Sequence, residues 1–148
     1  MVLACEFLMN KRIQLFFLAL VFVQGLHSIE EYSNKLYEVF EFTNNVCKMI
    51  NPDPRVGFVI GNVIFFVFGL LCYLVPVRMG WPSGRFFIWL WIVIEVLNGI
   101  LHPAVAFSRG GYFPGVETAP FLLVLALWLA VLLVKESATE DFGKMSHP

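Results

Sequence analysis

Charge is what this chain has least of. Only 14% of its 148 residues are Asp, Glu, Lys or Arg, against about 25% in an ordinary soluble domain. The formal net charge is -1, so nothing draws the chain to a phosphate backbone, and nucleic acid is excluded as a partner. Cysteine is scarce too. Cys5, Cys47 and Cys72 are three in number, and they lack the spacing of a metal knuckle, which excludes a disulfide framework and a structural zinc site. Cys5 lies where acylation is chemically feasible, but an unmodified thiol is the simpler reading. The signatures of soluble enzymes are also missing. There is no Gly-x-Ser-x-Gly elbow, no phosphate loop and no dinucleotide fingerprint. His27-Ser28-Ile29-Glu30-Glu31 is not the His-Glu-x-x-His of zinc proteases, which needs two histidines one turn apart.

What fills the chain is apolar side chain, 59% hydrophobic and 16% aromatic. That excess, in a length sufficient for one domain, points to a membrane protein. Four apolar runs, about 13–31, 57–77, 86–107 and 119–134, each approach the roughly 20 residues a helix needs to cross the hydrocarbon core. The expected fold is therefore all-α, a bundle of four transmembrane helices occupying residues 13–134. A short head, 1–12, precedes it. A polar tail, 135–148, which includes His147, reads as disordered.

Three loops separate the runs. Asn51-Pro52-Asp53-Pro54 breaks helix at each proline. Pro76, Gly80, Trp81 and Pro82 close the second span, with Trp81 suited to the boundary. Ser108 to Gly115 is a turn-bearing loop. Gly57-x-x-x-Gly61 permits close helix contact, and dimer and monomer are equally compatible with it. A cleaved signal peptide with Val23-Gln24-Gly25 at the scissile site competes for the first run. The charged pair Lys11-Arg12 comes late for one. Cleavage would also leave His27 at a terminus.

The first run carries a polar stripe. Gln24, His27, Glu31, Asn34, Glu38, Glu41 and Asn45 recur at alternating steps of three and four, one face of one helix. The first helix is therefore expected to leave the membrane near Glu31 and continue to about Val46. For Glu38 and Glu41 an ordinary amphipathic surface helix suffices.

Four spans place both termini on one side. Lys11, Arg12, Arg78, Arg85, Lys135 and Lys144 lie there, six basic residues against Lys35, Lys48, Arg55 and Arg109, four, on the other. The positive-inside rule then puts the termini in the cytoplasm. His27, Glu30 and Glu31 end the first span, and Glu95, Asn98 and His102 occupy the second half of the third. Both spans run away from the terminal side. Asn62 opens the second span at the same level, and Glu117 and Thr118 open the fourth. The polar residues of four spans thus fall in one layer near the non-terminal face.

Ionisable groups at membrane depth are costly and mark function. Glu95 is the deepest and needs a partner: a proton, a histidine or a metal. Glu95, Asn98 and His102 are spaced i, i+3 and i+7, on one face. Pro103 cannot donate to the Gly99 carbonyl. Three chemistries compete. His27, Glu31 and His102 offer imidazole and carboxylate donors for a divalent Zn, Fe or Mn ion, with Glu30, Glu95 and Asn98 as catalytic or orienting groups. Di-metal bundles carry paired Glu-x-x-His motifs, whereas here the order is reversed and Asn98 stands where a histidine would. Metal-free acid–base chemistry on a lipophilic molecule is the second. The third is a structural polar layer holding the helices together. Singly, Asn62 reads as a helix–helix hydrogen bond and Glu117 as a favourable charge at a helix N-terminus.

Taken together, three ordered motifs resemble the HXXEE-domain proteins, multi-pass membrane proteins of uncharacterised function. His27-Ser28-Ile29-Glu30-Glu31 fits the naming motif, and Asn98-Gly99-Ile100-Leu101-His102 fits an Asn-x-x-x-His motif. Tyr112-Phe113-Pro114-Gly115 is similar to Tyr-Ser-Pro-Gly, with Phe113 in place of serine. The resemblance implies an integral membrane protein, points to His27, Glu30, Glu31, Asn98 and His102, and supplies no reaction. Tyr112 and Gly115 then read as turn and interface residues. The leading expectation is a small membrane enzyme acting on a lipophilic substrate. The alternative is a non-enzymatic binding or scaffold protein.

Overall fold

A computed structural model describes residues 9–145, with the backbone alone for 140–145. Cys5 and His147 lie outside the described side chains. Six helices appear, α1 Lys11–Ser33, α2 Leu36–Val39, α3 Glu41–Ile50, α4 Pro54–Cys72, α5 Gly84–Arg109 and α6 Ala119–Met145, and no strand among the described residues. Four segments are long and apolar enough to cross a membrane: Lys11–Ser33, Pro54–Val77, Gly84–Arg109 and Ala119–Thr139. The four-helix expectation holds.

The helix ends follow local chemistry. Asn10 caps α1 by accepting the Arg12 amide at 2.9 Å. Asp53 does the same for α4 with the Arg55 amide at 2.9 Å, and Pro54 takes the first helical position, where no amide is needed. At Pro76 the ladder widens into a π turn, Tyr73–Val77, with the Arg78 amide reaching back to the Tyr73 carbonyl at 2.8 Å. α5 runs through Pro103 and stops at Gly110, whose φ of 67° suits glycine.

Two expectations fail. The polar stripe does not form one helix to Val46. α1 ends at Ser33, because Asn34 folds both its amides onto the Glu30 carbonyl and Lys35 takes a left-handed φ of 56°. The chain then turns over the bundle as α2 and α3. The tail from Lys135 does not begin as disorder either: α6 continues to Met145. A helix already nucleated in the membrane extends at little cost through residues that tolerate it. Glu136 anchors this extension, accepting the Asn10 amide at 2.9 Å and pairing with Arg85 at 3.4 Å.

α6 packs against both α1 and α5, and α4 packs on α1. The main core gathers Phe17, Leu20, Val21, Ile88, Trp91, Leu122 and Leu129, all fully buried. Trp91 stacks on Phe65 at 4.7 Å and lies over Gly69, where any Cβ would come within 2.6 Å of its ring. A second apolar cluster, Leu36, Tyr37, Cys47, Phe58 and Phe113, forms a cap from α2, α3, the head of α4 and the α5–α6 loop. The Gly57 and Gly61 face, a candidate dimer surface from sequence, is used within the chain. Gly57 packs on the Cys47 backbone, and a Cβ on Gly61 would meet Ile50 at 3.2 Å. The polar layer lies between core and cap.

Candidate metal centre

His27 and Glu31 are one turn apart on α1, and His102 faces them from α5. All three are buried. His27 Nε2 is 3.4 Å from Glu31 Oε1, and His102 Nε2 is 3.3 Å from the same oxygen. The two rings meet edge to face with centroids 4.7 Å apart. The three side chains each offer one ligand atom, and these atoms lie within 4.8 Å of one another.

Hydrogen-bond partners determine which ring nitrogens carry protons. His102 Nδ1 lies 2.6 Å from the Pro114 carbonyl, which can only accept, so Nδ1–H donates. His27 Nδ1 lies 2.7 Å from Thr118 Oγ1. The Thr118 hydroxyl gives its one proton to Glu30 Oε2 at 2.5 Å, so it accepts from His27 Nδ1–H. Both imidazoles therefore turn Nε2 toward Glu31 Oε1. With both imidazoles neutral, two Nε2 lone pairs and one carboxylate oxygen face one another, and His27 Nε2 has no hydrogen-bond partner. The separations of 3.3–3.4 Å exceed the roughly 2.7–2.9 Å of a charge-assisted N–H···O bond. These two edges match those of a tetrahedron around a metal with bonds of about 2.0–2.2 Å, roughly 3.3–3.6 Å, and the third pair of donors lies within 4.8 Å. Orienting His through Nδ1–H to a carbonyl or hydroxyl is the usual second support of a metal ligand.

Glu30 does something else. Its carboxylate receives five donors: the Tyr112 hydroxyl at 2.8 Å, the Gly115 and Glu117 amides at 3.1 Å each, and the Thr118 amide and hydroxyl at 2.9 and 2.5 Å. It binds the start of α6, where orphan amides and the helix dipole favour an anion. The sequence expected Glu117 to supply charge there; Glu30 supplies the acceptor. Partial burial, then the Glu30 hydrogen bond, push the Tyr112 phenol above its ordinary range, so it remains a donor.

The loop motif is the roof. Phe113 is buried against His102 at 5.5 Å, with the Arg109 guanidinium over its ring at 5.0 Å. Pro114 holds His102. Gly115, φ 94°, crosses so close to both imidazoles that a Cβ would come within 2.6 Å of His102 Cε1 and 2.8 Å of His27 Cε1. Phe113, where the resemblance expected serine, contributes ring packing.

Glu95 and Asn98 stand on a separate branch. Asn98 Nδ2 bonds Glu95 Oε2 at 3.2 Å and Gln24 Oε1 at 3.5 Å. Gln24 Nε2 donates to Ser28 Oγ at 3.3 Å, and Ser28 to Asn62 Oδ1 at 2.7 Å. Asn62 is thus the helix–helix hydrogen bond the sequence suggested. Glu95 is fully buried, and its Oε1 has no hydrogen-bond partner. Residues at i and i+3 of one stripe, Gln24 and His27, therefore serve different branches. Pro114, Gly115 and Ser28 went unassigned by sequence, and Thr118 was placed in the polar layer without a partner. Their signals were the level of Thr118 at the head of the fourth span and the Tyr-x-Pro-Gly motif.

A family described as a protein of unknown function with HXXEE motif matches residues 15–129. No curated protein and no solved structure matches the chain.

Proposed function

The chain belongs to the HXXEE family, and from the geometry of its motif residues we propose that His27, Glu31 and His102 hold one divalent metal ion in a multi-pass membrane enzyme acting on a lipophilic substrate. The observation that carries the reading is the convergence of two Nε2 lone pairs and one carboxylate oxygen, with both Nδ1–H groups engaged elsewhere. Two imidazoles and a carboxylate suit Zn or Fe(II), and Mn less well. Three protein ligands leave a coordination position for water or substrate, the hallmark of catalytic rather than structural zinc. Such an ion supplies Lewis acidity and an activated water. Glu30 acts as a positioning residue, holding Thr118 and the loop so that His27 keeps its tautomer. Glu95, with one free carboxyl oxygen, and Asn98 beside it are the groups available for proton handling. The termini face the cytoplasm in this reading.

The saturation of Glu30 and the closeness of the Gly115 roof favour a second reading, a closed polar layer in a non-enzymatic membrane scaffold. Elemental analysis of the detergent-purified protein separates them, beside His27→Ala and His102→Ala. The proposal expects near-stoichiometric Zn, Fe or Mn, lost in both variants while helicity by circular dichroism persists. A wild type that stays metal-free after reconstitution with each ion sinks the metal reading and leaves the scaffold.

A further inference from the structure

A groove of about 490 Å³ runs between α1 and α4, on the side of α1 away from His27. It extends from Phe22 to Tyr32 on α1 and from Phe66 to Phe58 on α4. Ten residues of helix at 1.5 Å each make it about 15 Å long, half the roughly 30 Å hydrocarbon thickness, or one leaflet. Its walls are apolar apart from Gln24, Ser28 and Asn62. Both helices are membrane spans, so the groove opens to lipid, not water.

At its outer end the groove shares Tyr32 with a smaller polar recess of about 230 Å³, lined by Lys35, Glu38 and Arg55 among others. Arg55 gives its Nε–H to the Tyr32 hydroxyl at 2.9 Å and lies over that ring at 5.6 Å. Its terminal N–H groups bond no other described side chain. Lys35 is held in a left-handed turn and meets Glu38 at 3.6 Å, with both side chains more than half exposed. Lys35 and Arg55 line the recess with Glu38, while Asp53 acts on Arg55 from outside it, at the level where the groove reaches the membrane surface.

We propose that this groove binds one anionic single-chain phospholipid of the non-terminal leaflet, its acyl chain between α1 and α4 and its phosphate against Arg55 and Lys35. The match is one of length and charge. The groove takes one leaflet's depth of chain, and the Arg55 guanidinium and Lys35 ammonium adjoin the end where a headgroup lies. Arg presents its paired terminal N–H groups to a phosphate in a fork. The proposal goes beyond the metal centre and does not depend on it.

The test is native mass spectrometry of the full chain in detergent, titrated with oleoyl lysophosphatidate and with uncharged monooleoylglycerol. One lysophosphatidate per chain is expected, bound at least tenfold more tightly than monooleoylglycerol. Val63→Trp, at a lipid-facing wall position 56% exposed, should abolish binding of both. Arg55→Gln should weaken lysophosphatidate about ten- to a hundredfold, the range for losing a hydrogen bond to a charged group, and leave monooleoylglycerol unchanged. Circular dichroism and thermal unfolding of each variant check the fold separately. The proposal is overturned if Val63→Trp binds lysophosphatidate normally, if Val59→Trp does so where Val63→Trp misfolds, if Arg55→Gln has no effect, or if inorganic phosphate displaces the lipid at equal concentration.

Discussion

Thr118→Val removes one hydroxyl and keeps the side chain's shape. In the native chain that hydroxyl accepts from His27 Nδ1 at 2.7 Å and donates to Glu30 Oε2 at 2.5 Å. In the variant the fully buried His27 keeps an Nδ1–H with nothing to receive it. An unsatisfied buried donor costs about 1–3 kcal/mol. The ring escapes that cost by moving its proton to Nε2 or by turning, and either removes a lone pair from the Glu31 oxygen. Loss of such an outer partner typically weakens metal affinity about 10–100-fold, or about 1.4–2.8 kcal/mol. Glu30 retains four of its five donors, so the loop should stay closed. Thr118→Ser restores the hydroxyl and should restore affinity. The assay is zinc competition against a chromogenic chelator in detergent, with thermal unfolding measured on metal-free protein. Equal zinc affinity in wild type and Thr118→Val, with metal bound in both, would refute the tautomer argument.

Three further outcomes follow from the same contacts. Gly115→Ala should destabilise by about 1–3 kcal/mol from its backbone conformation alone and should also lose metal, because its Cβ has to displace both imidazoles; a variant with native melting and native metal content would show that the roof is loose. Glu30→Gln places an N–H₂ group among five donors; a loss of about 2–3 kcal/mol is expected, with hydrogen exchange accelerating first at the Gly115, Glu117 and Thr118 amides. Metal release should rise on acidification, since imidazole and carboxylate ligands bind only when deprotonated and protons compete with the ion; a pH-independent affinity between 5 and 8, measured by dialysis and elemental analysis, would mean these imidazoles are not ligands.

The membrane class and the four spans were legible because burial in lipid demands long apolar helices, and composition alone reports that. The layering of polar residues was legible too, since alternating span direction is arithmetic. His27, Glu31 and His102 could be picked out as a set. Where Glu30 points could not: His27, Glu30 and Glu31 fall on one face by spacing, yet a one-residue step turns a side chain by about 100°. That rotation aims Glu31 at α5 and Glu30 at the start of α6. The break at Lys35 was equally hidden, because the polar stripe continues through it at helical spacing. Only Asn34 folding onto Glu30 and the apolar cap below Tyr37 and Phe113 make a turn better than another turn of helix.

The sequence by itself determined an all-α membrane chain with a histidine–carboxylate layer near one face, because hydropathy, periodicity and span direction are local or additive properties. The tertiary structure alone decided what each polar group does. Which oxygen faces Nε2, which hydroxyl orients Nδ1 and which glycine lets the loop cross the rings all depend on contacts between residues up to 91 positions apart. No local pattern encodes those angles; packing between the apolar core and the apolar cap sets them.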